Sequence, residues 1–413
     1  MLVGSIRFVS LVFVTALDAA DRSLLGASYP LLRTEYGWSP KQLGAIPLFQ
    51  NLVMVVALPL CSIFIRNLQS PKLVNILSCA CLLWGVNLLL LADVGDSFKA
   101  RIFLRVTNGL LLSCMLPISQ RMMVETVEYS ELGKAYGISG AVDVTCSTLC
   151  AYLVIYFGDW RSAYRVLGVS SIICSFTMLS RQAETSRVSP SHAKIFHKIW
   201  ESRPLRMIVL QGVVSSIPWN ATSFIILLFS YRGFGTFYLG YLTLIPGLGG
   251  ALGNLIGGIL VDIAARTYGI RGRILVCMFS TALGIVFWSI LMTDVANTPI
   301  QQMLMYLLFQ VSASWARNSN KPLVSEFVQS PADIAQVLSV WMLLERITSA
   351  IIGTPMVGIL SEILSPEGNI SSGLAFSLSM MGIISWSISL LIWLFIWFEL
   401  FSTKPLIIPA LSS

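Results

Sequence analysis

Apolar residues fill this chain in runs of about 20, parted by short polar turns, almost from end to end. A bilayer core of about 30 Å takes about 20 helical residues to cross. Inside lipid the backbone must satisfy its own polar groups, so each run is predicted to be a helix. The first goes from near Ile6 to near Leu25. Five more lie near Leu43–Phe64, Leu73–Leu91, Ala100–Met122, Tyr136–Phe157 and Ala163–Leu179. A polar stretch, Arg181–Arg206, carries Arg187, Lys194, Lys198 and Arg203. Six further runs follow at Met207–Phe229, Phe237–Val261, Ile274–Leu291, Gln302–Val324, Ala335–Leu360 and Leu374–Phe398. The pattern predicts an all-α integral membrane protein with twelve transmembrane helices in two six-helix bundles, residues 1–180 and 207–413, joined by a cytoplasmic linker at 181–206. The segments Gly37–Arg66 and Gly235–Asp262 each read as a turn, a long apolar run and a charge. Their near-equal lengths fit a duplication of halves, although few residues are shared.

Composition narrows the class. Of 413 residues, 55% are hydrophobic and 11% charged, against about 25% charged in an ordinary soluble domain. The spans and short loops use up the length, so no soluble catalytic domain is expected. The net charge of +7 does not mark a nucleic-acid binder. Its Lys and Arg lie between the runs and form no patch interleaved with aromatics. With the N-terminus in the cytoplasm, the inner loops collect Arg66, Lys72, Lys134, the central loop, Arg266, Arg271, Arg273, Arg317, Lys321 and Lys404. That excess over the opposite side is what the positive-inside rule requires. The loop Leu364–Gly373 then falls outside, and its Asn369-Ile370-Ser371 fits a glycan acceptor. Asn220-Ala221-Thr222 fits the same pattern within a run and is read as chance.

The eight cysteines, Cys61, Cys79, Cys81, Cys114, Cys146, Cys150, Cys174 and Cys277, all fall in apolar runs and read as small hydrophobes. The two histidines, His192 and His197, sit in the central loop, so no metal site is expected. The first run leads into Asp18 and Asp21 without a small-residue cleavage pattern, and reads as a span rather than a signal peptide. A phosphate loop, a metal-spaced His pair and a Ser nucleophile with its base are all missing. Neither an enzyme nor a cofactor-dependent protein is expected.

Ionisable side chains deep in a span cost about 2.5–3.5 kcal/mol, so each should face a partner or a cavity. Asp21 and Arg22 lie toward the outer part of the first span, with Asp18 a turn before them, and Arg105 in the outer part of the fourth. A pair of Asp21 with Arg105 is therefore expected. A proton on Asp21 would free Arg105 for an anionic substrate; the alternative is a permanent structural salt bridge. Asp143 sits about nine residues into the fifth span, roughly 13 Å deep. Glu345 and Arg346 lie at similar depth in the eleventh, about 100° apart around the helix. For these three, structural pairing and substrate contact both stay open. Trp219, Asn220, Asn318, Asn320 and Trp341 are candidates to line a cavity. Gly249, Gly253 and Gly257, four residues apart, predict close helix packing. Gly258 and Asp262, followed by Arg266, Gly269, Arg271 and Arg273, form the sharpest local motif. There Gly258 would admit a neighbouring helix, and Asp262 would hold Arg271 or Arg273 in one conformation as a cytoplasmic gate. The alternative is an ordinary charged loop.

These motifs resemble those of the major facilitator superfamily. Gly258, Asp262, Gly269 and Arg271 are similar to its loop between the second and third helices of a half, with stretched spacing. In the first half, Cys61 and Ile65 stand where the glycine and aspartate would be. Asp18-Ala19-Ala20-Asp21-Arg22, then Pro30 and Glu35-Tyr36-Gly37, resembles the first-helix signature of the spinster-like and organic-anion branches. Asp18 takes the place of an asparagine common among spinster-like members. Arg105 with Gly109 is similar to the fourth-helix Arg-x-x-x-Gly motif, although Leu111 and Leu112 replace the glycine and glutamate that often follow. Asp159-Trp160-Arg161, Pro218-Trp219, and Asn320, Pro322, Glu326, Pro355 and Gly358 extend the likeness along the chain. The resemblance implies a monomeric secondary transporter working by alternating access in the lipid bilayer. Its substrate would be a small organic molecule, anionic or amphiphilic, and protons a coupling partner. Two alternatives stay open: a lipid or sphingolipid exporter of spinster type, and a non-transporting sensor or scaffold.

Overall fold

The computed structural model describes residues 6–66, 68–127, 132–179, 202–293, 298–316, 323–324, 327, 331–365 and 369–402. Of the expected linker, residues 181–201 lie outside that set. The described residues are helical throughout. In chain order the helices are α1 (Ile6–Tyr36), α2 (Pro40–Arg66), α3 (Ser70–Asp93), α4 (Phe98–Thr126), α5 (Leu132–Phe157) and α6 (Trp160–Leu179). Next, α7 (Arg203–Ala221) passes through a 3₁₀ turn, Thr222–Phe224, into α8 (Ile225–Tyr231). Then come α9 (Thr236–Tyr268), α10 (Ile270–Met292) and α11 (Pro299–Ala313). Finally α12 (Pro331–Thr348) runs through a π turn, Ser349–Gly353, into α13 (Thr354–Ile363), and α14 spans Ile370–Ser402. Taking each interrupted pair as one rod, the described residues give the twelve helices of a multi-pass membrane protein. Among the described residues, nine stretches are apolar and long enough to cross a bilayer on those grounds alone. The α1 run is broken instead by Asp18, Asp21 and Arg22.

Local chemistry sets the ends. Gly37, at φ 69°, takes the left-handed conformation that closes α1, its N–H donating to the Arg33 carbonyl at 2.8 Å. Gly269, at φ 60°, makes the tight turn from α9 to α10. Thr298 and Gln301 cap α11 reciprocally, at 3.3 and 3.2 Å.

The chain forms two compact units. The first holds the described residues of Met1–Pro190, Asn220–Gly247 and Ala350–Ser377. In lipid, helices draw together through small residues and polar contacts more than through hydrophobic force, and this unit is built that way. A Cβ on Gly85 would lie 2.6 Å from the Gly168 carbonyl oxygen, which locks α3 on α6. Gly109 brings α4 still closer to α2, where a Cβ would lie 2.1 Å from the Gln50 carbonyl oxygen. Thr15 on α1 contacts the Ser139 hydroxyl and donates to Asp143 on α5, both at 3.0 Å. Gly26 faces Ser223, Tyr29 lies 5.0 Å from the Phe224 ring, and Gly358 on α13 sits against the Pro40 carbonyl of α2.

The second unit holds the described residues of Ser191–Trp219, Leu248–Ser349 and Leu378–Ser413. Its apolar core gathers Leu205, Ile208, Ile274, Cys277, Trp341 and Trp393. Gly249, Gly253 and Gly257 press α9 onto α11, where added Cβ atoms would meet Gln310, Val311 and Trp315 at 2.6, 2.3 and 2.7 Å. Trp288, Phe309 and Trp386 stack beside them, with ring centroids about 5 Å apart. Large apolar side chains such as Leu60, Phe103, Val166, Leu255, Ile259 and Leu391 are exposed on the rods, as suits surfaces that meet lipid tails.

Candidate functional site

α1, α2, α3, α4 and α6 each send a polar side chain into one buried cluster of the first unit. Asp21 is fully buried and Arg105 is 1% exposed. The Arg105 Nη1 donates to Asp21 Oδ1 at 3.1 Å, to Asp21 Oδ2 at 3.2 Å and to Gln50 Oε1 at 3.2 Å. Its Nη2 donates to the Tyr164 hydroxyl. Asn108 Nδ2 donates to Asp21 Oδ2 at 3.2 Å, and the Trp84 indole N–H donates to Asn108 Oδ1. Arg105 and Asn108 are three residues apart on α4 and so share a face. Gln50 reaches that face only because Gly109 has no side chain to hold α2 away. The Arg105 Nε has no acceptor among the described residues. Two opposite charges thus lie together out of water, where losing one partner strands the other. Protonating Asp21 would do that electrically, without removing an atom.

A second cluster caps the same unit at the exposed end of α1. Arg101, one turn from Arg105 on α4, is 2% exposed. Its guanidinium lies 5.3, 5.1 and 4.7 Å from the ring centroids of Tyr36, Trp38 and Trp160. Glu35 accepts from Trp160 Nε1 at 3.0 Å and from Arg161 Nη1 at 3.1 Å, and Arg161 donates to the Tyr36 hydroxyl at 2.7 Å. Burial pushes the Glu35 carboxyl up, but Arg161, Trp160 and Tyr36 outweigh it and hold it below the ordinary range. Asp159, in the turn before α6, is also lowered, chiefly by its hydrogen bonds from Ser162.

The other sequence candidates fall in separate places. Asp18 is buried and pairs with Arg22 at 2.9 Å along α1, while the Arg22 side chain is 49% exposed. Asp143 is half-buried and accepts from Thr15. Glu345 and Arg346 are half-buried on α12, and the Glu345 carbonyl accepts from Ser216 on α7 at 3.2 Å. Trp219 is half-buried beside Phe309 and Trp386. The Asn220 carbonyl accepts from Thr354 at 3.0 Å. Trp341 is buried in the core of the second unit, its indole against Gly212. Asn318 and Asn320 lie outside the described residues. Asp262 lies inside α9, short of its end, and is exposed, while Arg271 and Arg273, in the first turn of α10, are half-buried. Gly258 has open space where a side chain would be, so the close approach belongs to Gly249, Gly253 and Gly257 on the neighbouring face.

Several partners in the buried cluster escape a reading of the sequence. Gln50, Trp84, Asn108 and Tyr164 are uncharged and sit inside apolar runs. Only the three-residue offset of Asn108 from Arg105 hints at a shared face. Cys61 and Cys114 also meet across α2 and α4, with their sulfurs 3.0 Å apart.

Known proteins place this architecture. The chain is 25% identical over 277 residues to the probable sulfoacetate transporter SauU of Cupriavidus necator, a match covering 61% of this chain and 63% of that protein. The chain thus spans less than two thirds of that relative's length. Its fold matches a bacterial homologue of the human lysosomal transporter Spinster in an inward-facing, unoccupied conformation, with TM-score 0.75 and 12% identity over 97% of this chain and 98% of the other. It also matches the nucleoside transporter NupG, with TM-score 0.72 and 14% identity over 97% and 100% of the two chains. A D-xylose–proton symporter matches with TM-score 0.68 and 12% identity over 92% and 96%. The sequence profile of the Major Facilitator Superfamily aligns with residues 11–352. With twelve helices among the described residues and that alignment over most of its length, the chain belongs to the Major Facilitator Superfamily and is a multi-pass membrane protein.

Proposed function

We propose that this protein carries a small organic anion across the membrane by alternating access, in exchange or in company with protons that bind Asp21. One observation carries the reading: Asp21 and Arg105 form an ion pair out of water, held directly by α2 and α6 and by α3 through Asn108. A buried charge pair gains little stability over apolar packing of the same shape, and ionisable groups within a span favour a role in ion or substrate pathways. In this reading a proton on Asp21 releases Arg105 to the substrate's negative group. Asp18 with Arg22, Asp143, Glu345 and Arg346 are further candidates along the path. Trp219, Asn220, Asn318, Asn320 and Trp341 are candidates for the chamber wall. Gly258, Asp262, Arg271 and Arg273 act as the cytoplasmic gate, and two six-helix halves, 1–180 and 207–413, rock as a monomer. The relationship to a probable sulfoacetate transporter supports an anion with a sulfonate or carboxylate head.

The test is uptake into proteoliposomes under an imposed pH gradient, with sulfoacetate as the first probe and other small sulfonates and carboxylates beside it. The native protein should accumulate one of them when the gradient is applied. Asp21→Asn should lose gradient-driven accumulation while remaining folded in the membrane. Accumulation that Asp21→Asn leaves untouched would remove Asp21 from the mechanism.

A further inference from the structure

Resting on the reading of Asp21 as the proton carrier, we infer that Trp84 is a positioning residue that keeps Asn108 a hydrogen-bond donor to Asp21, so that this conformation accepts only the ionised carboxylate. The geometry is a three-helix relay. Trp84 on α3 points its indole N–H at Asn108 Oδ1 on α4, and Asn108 Nδ2 points at Asp21 Oδ2 on α1, 3.2 Å away. An indole nitrogen donates and never accepts. The end of the Asn108 amide that faces Trp84 must therefore be its oxygen, and the end that faces Asp21 its NH₂. An asparagine is otherwise free to turn over and offer either end; here Trp84 removes the choice. Trp84 is itself fully buried, beside the Gly85–Gly168 contact that fixes α3 on α6.

The consequence falls on the proton. Asp21 Oδ2 faces Asn108 Nδ2 and Arg105 Nη1, and Oδ1 faces Arg105 Nη1 as well. Every described neighbour in hydrogen-bond reach is a donor, so an acid proton on either oxygen would find no acceptor. The titratable and charged groups that act on Asp21 are Arg105 of α4, Tyr164 of α6 and Cys150 of α5, with Asp18 one turn away on α1. From α2 comes the uncharged Gln50, which accepts from Arg105. None supplies an acceptor to Asp21. Without the Trp84 N–H, Asn108 can turn and present its oxygen, and the neutral acid gains a partner. Trp84 thus sets the protonation state through Asn108, touching neither the proton nor the substrate.

The experiment is a pH titration of the purified full-length protein by difference infrared spectroscopy. Asp21→Asn identifies the protonated-carboxyl band that belongs to Asp21. Trp84→Phe keeps a ring and deletes the N–H; Trp84→Leu, which also has no donor, serves if that variant does not fold. The band should then appear at a pH higher by about one unit, the scale of one hydrogen bond to a charged group. In an Asn108→Leu background the same Trp84 change should move the band no further. A band that appears at the native pH in Trp84→Phe, or that shifts equally without Asn108, overturns the relay and leaves Asp21 as carrier standing. A titration with no band sensitive to Asp21→Asn overturns the carrier reading itself, and the relay with it.

Discussion

A Cβ placed on Gly109 would lie 2.1 Å from the carbonyl oxygen of Gln50, closer than any side chain tolerates. That contact lets Gln50 reach Arg105, so the charge cluster depends on a residue that contributes no polar group. Gly109→Ala should force α2 off α4 and lower stability by about 1–3 kcal/mol, the usual cost of overpacking. Gly140→Ala is the control, since nothing lies near a Cβ there. Thermal unfolding in detergent should drop for the first and hold or rise slightly for the second.

The Asp21–Arg105 pair should behave as a unit. Arg105→Ala leaves a carboxylate buried with Asn108 as its remaining donor, and should cost roughly 3–5 kcal/mol. Asp21→Ala with Arg105→Ala should cost clearly less than the sum of the single changes. A double-mutant cycle on unfolding midpoints reads the difference; simple additivity would show that the two side chains do not support each other.

Acid should weaken the exposed end of α1 in a defined direction. Glu35 is held below its ordinary value in the folded protein, with Arg161 and Trp160 outweighing the effect of burial. A depressed carboxylate lends stability above its unfolded value, about pH 4.3, and loses it as the pH falls through the folded value. Asp159 acts with the same sign. The melting temperature should therefore decline on acidification below about pH 4, and Glu35→Gln should make that decline shallower. A curve of unchanged steepness would place the acid-sensitive groups elsewhere.

Trp341 offers a clean separation of packing from substrate contact. Its indole lies in the apolar core of the second unit, and its N–H meets no acceptor among the described residues. Trp341→Ala should destabilise by about 3–5 kcal/mol. Trp341→Phe should cost far less, because it deletes a buried donor with no acceptor among the described residues. Loss of uptake by Trp341→Phe at native stability would instead make Trp341 part of the chamber.

How much of this is legible in the sequence depends on which force a residue announces. The spans are legible because hydrocarbon thickness fixes their length, and Asp21 and Arg105 stand out because charges are rare in apolar runs. Their uncharged partners are not legible. Gln50, Asn108 and Tyr164 look like ordinary polar breaks in a helix until three dimensions bring them to one ion pair. The glycines mislead in a similar way. Gly257 and Gly258 are neighbours in sequence, yet one lies against Trp315 and the other faces open space, because adjacent helical positions point about 100° apart. Trp341 reads equally well as chamber wall or core from sequence, since a tryptophan suits both.

The distance along the chain between the two members of the ion pair has a consequence for how the protein is made. Asp21 leaves the ribosome 84 residues ahead of Arg105. At a synthesis rate of about 5–20 residues per second, that gap lasts roughly 4–17 seconds. During it, the nascent first helix carries Asp21 before its partner Arg105 exists. The translocation machinery must either delay releasing that segment into the oily phase or pass it there as the neutral acid, to be ionised when the fourth helix arrives.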